Sequence, residues 1–151
     1  MLTITRRKML LLLSMTAASG LRARAQQGPK VDVYKDPTCG CCGNWVEHLR
    51  TQGFAATATD VTDLVAVKTK YNVPQQLRSC HTAVVGGYVI EGHVSAADIK
   101  RALKERPAIA GLAVPGMPIG SPGMEGPNAK PYDVLAFDKQ GRTQVFSTHG
   151  R

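Results

Sequence analysis

Three of the four cysteines in this chain lie within four residues, Cys39-Gly40-Cys41-Cys42, and the fourth, Cys80, stands far downstream. Thiols spaced this closely are poorly placed to staple distant parts of a fold, so a purely structural disulfide framework does not account for them. The flanking residues locate the run. Val31-Asp32-Val33-Tyr34-Lys35 alternates at period two and reads as a strand, and Asp36-Pro37-Thr38 breaks it. Trp45, Val46 and Leu49 then recur at helical spacing, which predicts a helix from about Gly43 to Thr51 closed by Gly53. The thiols therefore fall where a strand hands over to a helix N-terminus. Unpaired amide N–H groups and the helix dipole favour the thiolate there, and a thiolate is both a nucleophile and a soft metal ligand.

The rest of the chain supplies a frame. Phe54 to Val61 reads as a second strand, and Thr62 as a cap for a helix carrying Leu64, Val67 and Tyr71, stopped by Pro74. Thr82-Ala83-Val84-Val85 and Tyr88-Val89-Ile90-Glu91 flank Gly86-Gly87, a two-residue hairpin signal. Ser95-Ala96-Ala97-Asp98 is a capping box opening a helix with Ile99, Ala102 and Leu103 on one face. The order β-α-β-α-β-β-α, with right-handed crossovers between parallel strands, predicts an α/β fold with a thioredoxin-like sheet. Residues 107 to 131 hold six of the nine prolines, five glycines and two methionines, which predicts a loop without regular elements. Tyr132 to Phe137 and Arg142 to Phe146 read as a C-terminal hairpin. The sequence contains no internal repeat.

The 151 residues carry 19 Lys+Arg against 11 Asp+Glu, a net charge of +8, but five of the basic residues (Arg6, Arg7, Lys8, Arg22, Arg24) lie in the first 25 positions, where no acid occurs. Without that stretch 14 basic residues face 11 acidic ones, and these are interspersed. Neither the charge nor a 5% aromatic content supports a nucleic-acid partner. Residues 1–25 read instead as an export signal. A basic start precedes an apolar run from Met9 to Leu21, and Ala23-Arg24-Ala25 supplies the small-x-small cleavage pattern before Gln26. The run is shorter and more polar than the roughly 20 apolar residues of a membrane span, so no stable membrane anchor is expected. Thr5-Arg6-Arg7-Lys8-Met9-Leu10 resembles a twin-arginine signal. The expectation is a single metal-binding domain over residues 26–151, working in the periplasm.

In the predicted topology the first strand ends at the CGCC run, the third strand starts at the same end, and the fourth finishes there. Cys39, Cys41, Cys42, Cys80, His81 and His93 then converge on one sheet edge. Cys39 and Cys42 have the C-x-x-C spacing of redox dithiols, whereas the adjacent Cys41 and Cys42 are poorly placed to aim both sulfurs at one tetrahedral ion. Neighbouring sulfurs aimed differently can bridge several ions. Monovalent copper prefers soft thiolate and thioether donors, so a thiol density this high points to copper more than to zinc. Met117 and Met124, on the glycine- and proline-rich loop, are candidate thioether donors. His48 reads as a packed or surface residue and His149 as exposed.

With these residues in place, the chain resembles domain-of-unknown-function family 411, the CopG-like periplasmic copper proteins. The segments that carry the resemblance are Val33-Tyr34-Lys35, CGCCGNWVEHL (39–49), SCHTAVV (79–85), IEGHV (90–94), GLAVPGMPIGSPGME (111–125) and YDVLAFD (132–138). They occur in order and span about residues 31 to 146. The resemblance implies a thioredoxin-like fold holding copper as a multinuclear cluster on Cys39, Cys41, Cys42 and Cys80, with His81, His93, Met117 and Met124 matching the family's histidines and methionine loop. It further implies copper resistance or copper redox handling, with Cu(I) able to cycle with Cu(II), and copper ions and other periplasmic copper-handling proteins as partners. The alternative is a thiol-disulfide oxidoreductase in which Cys39 attacks and Cys42 resolves. Against it, such enzymes usually place a cis-proline before the third strand, where this chain has His81. A zinc site of three cysteines and a histidine would leave one thiol spare. The first two readings admit oxidoreductase activity, on copper or on thiols.

Overall fold

The computed structural model describes residues 28–150; the expected export signal and its cleavage point at Ala25-Gln26 lie outside the described residues. The elements are β1 (Lys30–Lys35), α1 (Gly40–Thr51), β2 (Ala55–Asp60), α2 (Leu64–Lys70), a 3-10 turn (Gln75–Leu77), β3 (His81–Val85), β4 (Tyr88–Glu91), α3 (Ala96–Glu105), β5 (Gly111–Ala113), β6 (Tyr132–Phe137) and β7 (Thr143–His149). Through α3 this is the expected βαβαββα order, and it is compatible with a thioredoxin-like sheet. All seven strands join one sheet in the order β2-β1-β3-β4-β5-β6-β7. β1 runs parallel to β2 and antiparallel to β3, and β3 runs antiparallel to β4. The C-terminal end of β1, the start of β3 and the end of β4 consequently meet at one edge, as the topology requires.

Apolar periodicity builds the core. Val31 and Val33 of β1, Ala83, Val85 and Ile90 of β3 and β4, Trp45, Val46 and Leu49 of α1, and Ile99 and Ala102 of α3 are buried together in one cluster. Leu49, Ile90 and Ile99 are fully buried, each contributing roughly 1.5–3 kcal/mol of burial free energy. The indole N–H of buried Trp45 donates to the Val94 carbonyl at 2.8 Å, so its polar atom is satisfied inside the core. Ser95 caps α3 by accepting from the Asp98 amide, the first half of the predicted capping box, while the Asp98 carboxylate accepts from the Ser95 hydroxyl rather than from its amide. Among the described residues, no helix is long and apolar enough to cross a membrane.

Five expectations are corrected. Helix α1 begins at Gly40 rather than Gly43, because Cys39 takes the extended cap conformation and its carbonyl accepts from the Gly43 amide. The cap of α2 is Asp63, whose carboxylate accepts from Ala66 N at 2.9 Å, and not Thr62. The buried side chain of that helix is Lys68, while Leu64 and Val67 are half-buried. Residues 107 to 131 do contain an element: β5 pairs parallel with β4 and antiparallel with β6. Through β5 the terminal hairpin becomes part of the main sheet, and its second strand runs to His149 rather than Phe146.

Candidate metal centre

The strand-to-helix junction is shaped locally. The Asp36 carboxylate accepts from the Thr38 amide at 2.8 Å, turning the chain out of β1, and Cys39 then caps α1. Cys41 and Cys42 thus sit in the first turn of the helix. Cys42 is buried and Cys41 partly exposed, so the two neighbours point differently. Cys39 and Cys42 form a disulfide with their Cα atoms 5.4 Å apart, as the C-x-x-C spacing allows, leaving Cys41 and Cys80 as free thiols. Cys41 Sγ lies 3.5 Å from Cys39 Sγ and 4.0 Å from Met117 Sδ.

Two donor groups share one residue. The sulfurs of Cys39, Cys41, Cys42 and Cys80 all lie within 4.8 Å of one another, and so do the donor atoms of Cys80, His81 and His93. Cys80 Sγ is 3.1 Å from His93 Nε2 and 3.3 Å from His81 Nδ1. His93 Nδ1 lies 2.7 Å from the Pro122 carbonyl, an acceptor only, so the ring proton belongs on Nδ1. That leaves the Nε2 lone pair facing Cys80, the arrangement in which an outer carbonyl orients a ligating imidazole. His81 is buried between the Trp45 ring, at 4.3 Å between centroids, and the His93 ring at 5.1 Å. Among the described residues its Nε2 is buried without a hydrogen-bond partner, which costs about 1–3 kcal/mol and marks a nitrogen with unused bonding capacity.

Burial favours the neutral forms of Cys80, His81 and His93. Burial pushes the Cys80 thiol up to about 11, only partly offset by the Ser79 hydroxyl. Burial also holds His81 well below the ordinary histidine range, with His93 and Lys68 acting in the same direction. His93 is lowered by burial too. Neutral imidazoles keep a lone pair for a metal ion. With the Cys39–Cys42 disulfide reduced, the donor set of four cysteine sulfurs and two neutral imidazoles fits a soft cation.

A strap formed by residues 114–125 covers the site at four points. The Ser79 hydroxyl donates to the Gly116 carbonyl, Met117 reaches Cys41, the Pro122 carbonyl holds His93, and Gly123 packs on α1. Gly123 has φ +83°, and a Cβ there would lie 2.8 Å from Trp45 N and 3.1 Å from the Cys41 carbonyl, so only glycine fits. Met117 is 52% exposed, at the mouth of the site. Met124 follows Gly123 on the strap, and among the described residues its thioether makes no hydrogen-bonding contact with a site thiol.

Of the expected site residues, the structure groups Cys39, Cys41, Cys42, Cys80, His81 and His93, with Met117 against Cys41. His48 is packed, as expected, accepting from the Ala96 amide at the start of α3. His149 differs from the expectation: its Nε2 meets Asp98 at 2.6 Å and its ring stacks on Tyr132. Sequence reasoning missed a buried network behind Cys80. The Glu91 carboxylate accepts from Lys68 Nζ and from the Ser79 amide, both at 2.6 Å, and from the Thr82 hydroxyl at 2.7 Å. A charge at the end of an apolar strand was the available signal, but Lys68 has no local mark.

Residues 77–124 match the family described as "Protein of unknown function, DUF411". Two solved structures are similar over most of the chain. Form 2 of the copper resistance protein CopG is 43% identical, with a TM-score of 0.77, over 82% of this chain and 99% of that one. Form 1 is 43% identical, with a TM-score of 0.76, over 81% and 98% respectively. No curated protein matches the chain significantly.

Proposed function

The chain belongs to the DUF411 family of CopG-like proteins, and from that premise we propose that it binds copper, holding Cu(I) as a multinuclear thiolate cluster on Cys39, Cys41, Cys42 and Cys80. His81, His93 and Met117 are the flanking donors of this reading, and Met124 is a further thioether on the same strap. The observation that carries it is the sharing of Cys80 between a four-sulfur group and a sulfur-and-two-imidazole group, more donors than one ion of low coordination number takes. Each thiol that binds loses its proton, so uptake releases protons and weakens as pH falls. The basic leader and its cleavage pattern support an exported protein, with the mature chain starting near Gln26. Copper resistance or copper redox handling is the corresponding role.

Anaerobic titration of the fully reduced mature protein with Cu(I) tests this reading. It predicts more than one ion per chain and a large loss of capacity in Cys39→Ser/Cys42→Ser. Fewer than one ion per chain, or unchanged binding by that variant, overturns it.

The Cys39–Cys42 disulfide favours a second reading, thiol-disulfide exchange. In it the reduced Cys39 thiolate attacks a substrate disulfide, and Cys42 then displaces the substrate thiol. Catalysed reduction of insulin by the metal-free dithiol form supports this reading; inertness removes it.

A further inference from the structure

We propose that Glu91 is a positioning residue for the copper site, fixing the Ser79–Thr82 segment so that Cys80 meets His93 and the Met117 strap stays closed. The inference rests on the copper reading and deepens it.

Glu91 ends β4, is fully buried, and sits two residues before His93. One carboxylate oxygen accepts from Lys68 Nζ and Ser79 N, the other from the Thr82 hydroxyl, and Lys68 Nζ also donates to that hydroxyl at 3.1 Å. The four groups come from α2, the segment before β3, β3 and β4. Cys80 and His81 are the two residues between Ser79 and Thr82, so both ends of the segment carrying them are tied to one carboxylate. The restraint continues outward. The Ser79 hydroxyl donates to the Gly116 carbonyl, next to Met117, and lies 3.8 Å from Cys80 Sγ. Gly92 makes this approach possible: it has φ +69°, and a Cβ there would lie 2.7 Å from Ser79 Oγ and 2.6 Å from the Val114 carbonyl.

A buried ion pair of this kind is a poor source of stability, because desolvating both charges offsets their attraction, and apolar pairs of similar volume are often as stable. What the pair supplies that an apolar pair cannot is direction. Three hydrogen bonds to one carboxylate, two of them at 2.6 Å, set the backbone around Cys80 far more tightly than apolar packing would. Outer groups that orient metal ligands typically change metal affinity by about 10–100-fold when removed.

The test uses Lys68→Met/Glu91→Leu, which removes the network without leaving a lone buried charge, and Ser79→Ala, which keeps the Glu91 contacts and removes the hydroxyl that links to Gly116 and touches Cys80. Cooperative thermal melting establishes folding, and if the double variant does not melt cooperatively, Lys68→Leu/Glu91→Met replaces it under the same criteria. Two quantities are read. One is Cu(I) affinity of the reduced protein by competition with a chromophoric chelator, expected to fall at least tenfold in the double variant and severalfold in Ser79→Ala. The other is the rate at which iodoacetamide alkylates Cys80 in metal-free protein carrying Cys41→Ser, with the Cys39–Cys42 disulfide intact so that Cys80 is the one free thiol. That rate is expected to rise at least tenfold in the folded double variant. Affinity and alkylation rate both within twofold of the parent overturn the proposal. If the parent protein binds no Cu(I), the copper reading fails, while the alkylation rate still decides whether Glu91 positions Cys80.

Discussion

At the site end of the sheet Lys68 Nζ meets Glu91 Oε1 at 2.6 Å, and at the hairpin end Arg142 Nε meets Asp138 Oδ2 at the same distance. The first pair is buried and joins residues 23 positions apart; the second is four positions apart, with an arginine that is 80% exposed. Distance alone therefore says little about what an ion pair does. At the hairpin end the carboxylate also accepts from the Gln140 and Arg142 amides, so it shapes a turn that local sequence already specifies. Water competes for every one of its contacts. At the site end no water competes, and the pair organises three separate stretches of chain around Cys80.

Four predictions probe this difference, from the largest effect to the smallest. Glu91→Ala leaves Lys68 buried and unpaired, and chemical denaturation of the metal-free protein is expected to show a loss of about 3–5 kcal/mol. Most of that loss should return in Lys68→Met/Glu91→Leu; failure to recover would mean that the pair itself carries the stability.

Titration gives the second. Burial holds His81 and His93 below the ordinary histidine range, so their contribution is complete above pH 6.5 and is lost as pH falls below it. The Cys80 thiol is raised to about 11, so its contribution is complete below 9.0 and is lost as pH rises through that range. Urea midpoints measured across pH should therefore fall on both flanks. His81→Gln should flatten the acid flank and Cys80→Ser the alkaline one; unchanged flanks would contradict the burial of these groups.

Third, Ser95→Ala removes the cap of α3, two residues beyond His93, and should lower stability by about 1 kcal/mol. A change below a few tenths, by the same denaturation, would show that the His48 contact to Ala96 is sufficient to secure that helix start. Last, Asp138→Ala at the exposed turn should leave the denaturation midpoint close to the parent value. A loss approaching that of Glu91→Ala would erase the contrast between the two ends.

The same contrast explains what could be read from sequence. The β1 alternation, the Gly86-Gly87 hairpin, the Ser95 capping box and the terminal hairpin are local patterns, and each appears as an element near its expected place. Strand β5 was not legible, because Gly111-Leu112-Ala113 is extended through its pairing with β4 and β6 rather than through its own propensity. The start of α1 was read three residues late, since a cysteine cap carries none of the usual N-cap signal. The grouping of the thiols with His81, His93 and Met117 was legible because their chemistry is rare and the strand order brings them together. Glu91 and Lys68 were not, because a glutamate at a strand end and a lysine in a short helix look like solvated residues until the fold buries them against each other.

X-ray absorption at the copper edge, on reduced protein loaded with Cu(I), tests the central claim most directly. The account predicts a first shell dominated by sulfur, a copper–copper scattering path, and loss of that path in Cys39→Ser/Cys42→Ser. A mononuclear ion in a shell of nitrogen and oxygen, unchanged in that variant, would contradict it.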